Sequence, residues 1–187
     1  MTAGCVSPTN FKVETLAKTD INQVLDIHID QTLVLLKTLT RKLYKMNSRE
    51  LAKTPGATID SQISRIFQCP PPAPDAVLNK KTGTDAILMC FEPEYEGDRV
   101  YAMMYGLFTM LFSAYNQKCD LFMLDFLEAQ SLYNSARNIE ILVWRLKTRH
   151  QADGPLYLAT NICDGPVKNL SFERLFGKLI SPPVGGE

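Results

Sequence analysis

Apolar residues recur at helical spacing from Asp20 onward. Ile21, Val24, Leu25, Leu35, Leu36, Leu39, Leu43 and Met46 share one stripe, with His28 and Thr32 on the same side. Steps of three and four residues predict one amphipathic helix over residues 20–46. Thr19 or Asp20 can cap it, and Gln23 stands in capping-box spacing to Asp20. Lys37, Arg41, Lys42 and Lys45 crowd its later turns, where positive charge suits the helix dipole. Asn47 and Ser48 can cap a short turn over 48–52, and Pro55-Gly56 reverses the chain. Thr58 can cap a second helix with Ile59, Ile63, Ile66 and Phe67 on its face. Pro70, Pro71, Pro72 and Pro74 end it and predict an extended connector.

Residues 86–91 are apolar and fit a short helix or a strand, a helix capped by Thr84 or Asp85 being the expected form, followed by a loop from Pro93 to Gly97. Asp98 caps the next helix, whose stretch from Val100 to Tyr115 holds no charged residue. Such a segment covers about 24 Å at 1.5 Å per residue, short of a ~30 Å hydrocarbon core. Gly106 interrupts it, so it predicts a buried central helix rather than a membrane span. Leu121 to Leu124, after Lys118-Cys119-Asp120, predicts a buried strand. Asp125 and Glu128 then have capping-box spacing ahead of a long helix to about Arg149, with Leu132, Ala136, Ile139, Leu142, Val143 and Leu146 on one side. Turns at Asp153-Gly154-Pro155 and Asp164-Gly165-Pro166 bracket a second strand over Leu156–Thr160. Asn169 or Ser171 can cap a last helix carrying Leu175, Phe176, Leu179 and Ile180, stopped by Pro182-Pro183.

The expected fold is α+β and predominantly α-helical: a helical domain with a small two-stranded, parallel β element. The strand–helix–strand order, with a connector of about six residues after the helix, favours a right-handed parallel crossover. The expected organisation is a lipidation site and flexible tether over 1–19, a single mainly helical domain over 20–181, and a frayed tail over 182–187.

Composition narrows the class. The chain has 187 residues, 45% hydrophobic and 21% charged, which suits one globular domain. Lys+Arg and Asp+Glu are both 20, so formal net charge is zero and the basic excess usual in nucleic-acid binders is missing. No nucleic-acid partner is expected.

The chain opens Met1-Thr2-Ala3-Gly4-Cys5-Val6. Small residues directly before a cysteine resemble the end of a bacterial lipoprotein signal, in which that cysteine receives the lipid. Thr2 departs from the aliphatic residue the pattern prefers, and no charged n-region or apolar h-region precedes it. The expectation is that the chain starts just inside such a signal, with Cys5 as the lipid attachment site and Val6–Lys18 as the tether. A diacylglyceryl thioether plus an N-acyl chain exceeds what stable anchoring requires. Under the sorting rule of that class, Val6 favours the outer membrane. A chance small-residue start in a cytosolic protein is the competing reading.

Five cysteines are present: Cys5, Cys69, Cys90, Cys119 and Cys163. With Cys5 acylated, four remain, and an oxidising periplasm permits up to two bridges in any of three connectivities. The sequence does not choose among them, and free buried thiols are the alternative. The parallel crossover would hold Cys119 and Cys163 too far apart to bond.

Chemistry is sparse. His28 belongs to an apolar stripe and reads as a core or interface histidine, and His150 ends a basic helix terminus. No HExxH, GxSxG, phosphate-binding loop or GxGxxG occurs. Glu92, Glu94, Glu96 and Asp98 form an acidic loop without EF-hand spacing, and acids before a helix N-terminus are favourable without metal. Lys37, Arg41, Lys42, Lys45, Arg49 and Lys53 could meet anionic lipid or an acidic partner, or simply form a solvated face. Met103, Met104, Phe108, Met110 and Phe112 could fill the core or line an adaptable apolar cavity beside helix 99–117. No catalytic residue, metal site, cofactor or small-molecule substrate is identified.

Two stretches, Tyr133-Asn134-Ser135-Ala136-Arg137-Asn138-Ile139-Glu140 through Trp144-Arg145-Leu146 and Asn169-Leu170-Ser171-Phe172-Glu173-Arg174-Leu175-Phe176-Gly177-Lys178, are similar to an uncharacterised family of proteobacterial envelope lipoproteins. Some lipoproteins of this kind are accessory parts of the outer-membrane core of Dot/Icm-type type IV secretion systems. The resemblance implies a non-enzymatic, lipid-anchored periplasmic scaffold that meets other envelope proteins in a multi-copy complex. Asn134, Arg137, Asn138 and Glu140 are the expected partner-binding residues, an ordinary solvated helix face being the competing reading. The alternative function is a periplasmic hydrolase or apolar-ligand-binding protein with a pocket beside helix 99–117.

Overall fold

The computed structural model describes residues 20–119, 128–152, 154–160 and 170–180. Seven α-helices follow one another among them: α1 Asp20–Met46, α2 Ser48–Ala52, α3 Ile59–Ile66, α4 Gly83–Met89, α5 Arg99–Ala114, α6 Ala129–Thr148 and α7 Ser171–Ile180. A single 3-10 turn, Ala76–Leu78, lies between α3 and α4.

Helix α5, uncharged from Val100 onward, is the axis. Nearly every residue from Arg99 to Ala114 is buried, because α1, α3, α4 and α6 pack around it. Leu36, Leu39 and Leu43 from α1 join Met103, Met104, Leu142 and Phe172 in one continuous core. Lateral burial in protein thus explains an apolar helix of this length, and among the described residues no helix is long and apolar enough to cross a membrane.

Gly106 is the point of closest approach between α4 and α5. A Cβ there would lie 2.6 Å from the Gly83 carbonyl oxygen and 2.7 Å from the Ile87 backbone nitrogen. The glycine that looks like an interruption in an apolar run is what lets two helix backbones touch.

Two helix starts follow the sequence closely. Ser61 N–H donates to Thr58 Oγ1 at 3.1 Å, and Thr58 N–H donates to Ser61 Oγ at 2.9 Å, a reciprocal cap. Asp98 Oδ1 accepts from Tyr101 N–H at 2.9 Å at the head of α5. The helix expected over 86–91 begins earlier, at Gly83, and neither Thr84 nor Asp85 caps it. Its first N–H is held instead from α5, where Thr109 Oγ1 accepts from Gly83 N–H at 2.8 Å.

The expected two-stranded β element is overturned. Among the described residues there is no strand, only an isolated antiparallel bridge between His150 and Leu156. The fold is helical rather than α+β. Among the described residues, 156–160 join no strand ladder beyond that bridge and are held largely by side chains. Asn47 Nδ2 donates to the Ala159 carbonyl at 2.9 Å while Asn47 Oδ1 accepts from Ala159 N–H at 2.8 Å. Arg49 donates to the Tyr157 carbonyl at 3.2 Å. Buried apolar residues with satisfied backbone groups need no second strand. The other expected strand, 121–124, lies outside the described residues, as do Asp125, Cys163, Asn169 and the tail 182–187.

Cys69 and Cys119 form a disulfide with Cα atoms 5.8 Å apart, joining the chain after α3 to the chain after α5. Cys90 is a buried free thiol.

Candidate functional site

Helix α6 buries Ser135, Ile139, Leu142 and Leu146 along one side. At about 100° per residue, the opposite side carries Glu140, Tyr133, Trp144 and Arg137 within an arc of roughly 60°. Tyr133 is 66% and Trp144 57% exposed, and Ile141 beside them is also exposed. Large aromatic side chains left in water at the centre of a helix face are unusual enough to point to a contact surface.

The four expected partner-binding residues divide between this crest and its flank. Arg137 and Glu140 pair with each other on the crest, between the two aromatics. Asn138 Nδ2 is 3.6 Å from Met110 Sδ and lines a groove with Ile87, Leu88, Ile141 and Arg145. Asn134 accepts from Gln130 Nε2 at 2.9 Å and lines a separate polar groove with Thr82, Thr109, Ser113 and Ser131. Tyr133, Ile141 and Trp144 are exposed large hydrophobics that the sequence expectations do not include among the contact residues. The signal was available, since they fall opposite the core positions at the same helical spacing.

A second cluster lies at the head of α5. Asp98 Oδ2 accepts from the Tyr44 hydroxyl at 2.7 Å and from Gln62 Nε2 at 3.4 Å. Glu50 accepts from Arg99 N–H at 2.9 Å and from Lys53 Nζ at 2.8 Å. The Arg99 guanidinium reaches back to the carbonyls of Cys90 and Glu92 and lies against the rings of Tyr157 and Tyr95. Burial pushes the Asp98 carboxyl up to about 6, against the lowering effect of the Tyr101 N–H and the Tyr44 hydroxyl. A perturbed carboxyl can mark an active site. Here the lone pairs are used by the fold and Asp98 and Glu50 are 6% and 2% exposed, so the cluster caps α5 and ties α1, α2 and α3 to it.

Other candidates disperse. Cys90 is fully enclosed, and burial pushes its thiol up, away from the reactive thiolate. His28 is half-buried and edge-on to Tyr115, with ring centroids 6.0 Å apart, and burial lowers its pKa. Glu92 pairs with Lys81, while Asp98 turns inward, so the acidic loop does not converge. Among the described residues no three His, Cys, Asp or Glu side chains gather as a metal would require. The basic run is largely taken up within the chain: Arg41 pairs with Asp60, Lys42 lies over the Phe172 ring, Arg49 holds Tyr157 and Lys53 holds Glu50.

The apolar stretch of α5 splits between core and cleft. Met103 and Met104 are fully buried, while Phe108 and Phe112 line a cleft with Leu33, Phe67 and the Cys69–Cys119 bridge. Its volume is about 100 Å³, below the roughly 300 Å³ at which ordinary ligand pockets begin. Cys5 and the tether 6–18 lie outside the described residues.

Comparison with protein-family models, with curated proteins and with solved structures gave no match.

Proposed function

We propose that the chain is a non-enzymatic, lipid-anchored periplasmic protein that scaffolds an outer-membrane complex of the type IV secretion kind. The observation that carries this reading is the Cys69–Cys119 disulfide. Both cysteines are solvent-exposed, and the bond closes a separation of 50 residues. An exposed disulfide is reduced in a thiol-buffered cytosol and persists in an oxidising compartment. In this reading Cys5, within Ala3-Gly4-Cys5, is the acyl acceptor and Val6 directs the protein to the outer membrane. The tether Val6–Lys18 reaches at most about 45 Å, so the folded body can meet neighbours well below the bilayer. The crest of α6 is the contact surface.

The pocketed hydrolase or apolar-ligand binder is the weaker reading. The apolar cleft beside α5 is small, the larger polar groove over Thr109 and Ser113 is lined by no acid, base or thiol, Cys90 is held as an enclosed thiol, and Asp98 is consumed in capping.

Two experiments test the proposal. Rapid alkylation of thiols in the cells that make the protein should find Cys69 and Cys119 blocked until a reductant is added. Gentle solubilisation of membranes should recover the chain in a large assembly. Freely alkylated cysteines together with a lone 21.0 kDa species would remove the reading.

A further inference from the structure

The crest of α6 has a symmetry that names its occupant. Its order is Tyr133, Arg137, Glu140, Trp144, so the outer and inner pairs share one midpoint, between Asn138 and Ile139. Two antiparallel helices related by a two-fold axis through that midpoint bring position 133 level with 144 and position 137 level with 140. We propose that α6 pairs with α6 of a second copy of this chain, Tyr133 against the partner subunit's Trp144 and Arg137 against the partner subunit's Glu140.

The chemistry is self-complementary at each level. An aromatic meets an aromatic at both ends, and a guanidinium meets a carboxylate twice in the middle. The Arg137–Glu140 pair within each helix becomes half of a four-charge array with alternating signs. Among the described residues, α6 buries its opposite side and nothing covers this arc, so it can face a neighbour. Helices packed through one such stripe cross at about 20°, which keeps side chains in register over the ~16 Å between Tyr133 and Trp144.

The area marks the contact as a weak one. Tyr133 and Trp144 are already partly covered in the single chain, so four such rings have roughly 350–650 Å² left to bury, about half of the ~1,200 Å² at which stable interfaces begin. Free in solution, a contact of that size should be weak and transient, forming at micromolar rather than nanomolar concentration. Copies held on one membrane meet at a far higher effective concentration, which makes such a contact useful to an anchored scaffold. The pairing rests on the reading of the α6 crest as a contact surface, but not on the lipid anchor.

The test uses the full chain carrying Cys5→Ser, so that neither an acyl group nor a bridge at that thiol contributes. Sedimentation velocity across the micromolar range should show a monomer–dimer equilibrium. Arg137→Glu and Glu140→Arg should each weaken it roughly tenfold, because each places four like charges together. The double variant Arg137→Glu/Glu140→Arg should restore it to within about threefold, since the swapped charges again complement. Trp144 is the only tryptophan, so its emission should shift to the blue as concentration rises in the parent and the double variant but not in the single variants. A monomer at every concentration, an association indifferent to the reversals, or single losses without recovery in the double variant would each overturn the pairing. Because Cys5 is absent from every sample, none of these results bears on the anchor, which thiol trapping and lipid labelling judge separately.

Discussion

The Tyr44 hydroxyl donates a 2.7 Å hydrogen bond to Oδ2 of Asp98, joining the C-terminal half of α1 to the first turn of α5. Asp98 is held in low dielectric, and its carboxyl is pushed up to about 6 from an ordinary 3.8. Between pH 4 and 6, roughly, the folded chain therefore binds a proton here that the unfolded chain does not. The stabilisation from this proton is fully present below about pH 4 and is lost as pH rises through 6. Asp98→Asn keeps a capping oxygen but does not titrate. The parent should gain up to about 3 kcal/mol on Asp98→Asn between pH 7 and pH 4. Urea unfolding of both chains at the two pH values measures the difference.

Gly106 permits the contact between α4 and α5. A methyl group there must displace the Gly83 carbonyl and the Ile87 backbone, which are not free ends of side chains. Gly106→Ala should cost about 1–3 kcal/mol or more despite the better helix propensity of alanine. Thermal unfolding followed by circular dichroism should show a lower midpoint with unchanged helix content at low temperature.

Asn47 carries the segment that was expected to be a strand. Its buried amide donates to the Leu43 and Ala159 carbonyls and accepts from Ala159 N–H. Asn47→Ala leaves the Ala159 groups without these partners and should cost about 2–3 kcal/mol. Hydrogen exchange should rise at residues 156–160 before it rises in α5.

These residues also show what was legible in the chain itself. The periodicity of α1, the Thr58 cap and the Asp98 cap are local signals, and local signals survive folding. Leu156–Thr160 looked like a strand because a short buried apolar run has the same composition whether a ladder or a side-chain amide satisfies its backbone. The start of α4 is not legible locally, because its first N–H is held by Thr109, 26 residues away. The Cys69–Cys119 pairing depends on two loops meeting after α3 and α5 have packed, a relation no spacing rule contains. On α6, the polar cluster that includes Arg137 and Glu140 stands out in the sequence itself. Tyr133 and Trp144 declare themselves only once the buried side of the helix is known.

The disulfide should also contribute to stability. Closing a loop of 50 residues restricts the unfolded chain by up to about 4 kcal/mol in the chain-entropy view. Cys69→Ser/Cys119→Ser should lower the urea midpoint by an amount equivalent to about 2–4 kcal/mol. With reductant present, the parent's midpoint should fall to that of the double variant in the same buffer.

The anchor itself is tested by growing the native host with radiolabelled palmitate and isolating the full-length protein beside a Cys5→Ser variant. The account predicts label on the parent, in the outer-membrane fraction, and none on the variant. An unlabelled parent, or equal label on both chains, would contradict it.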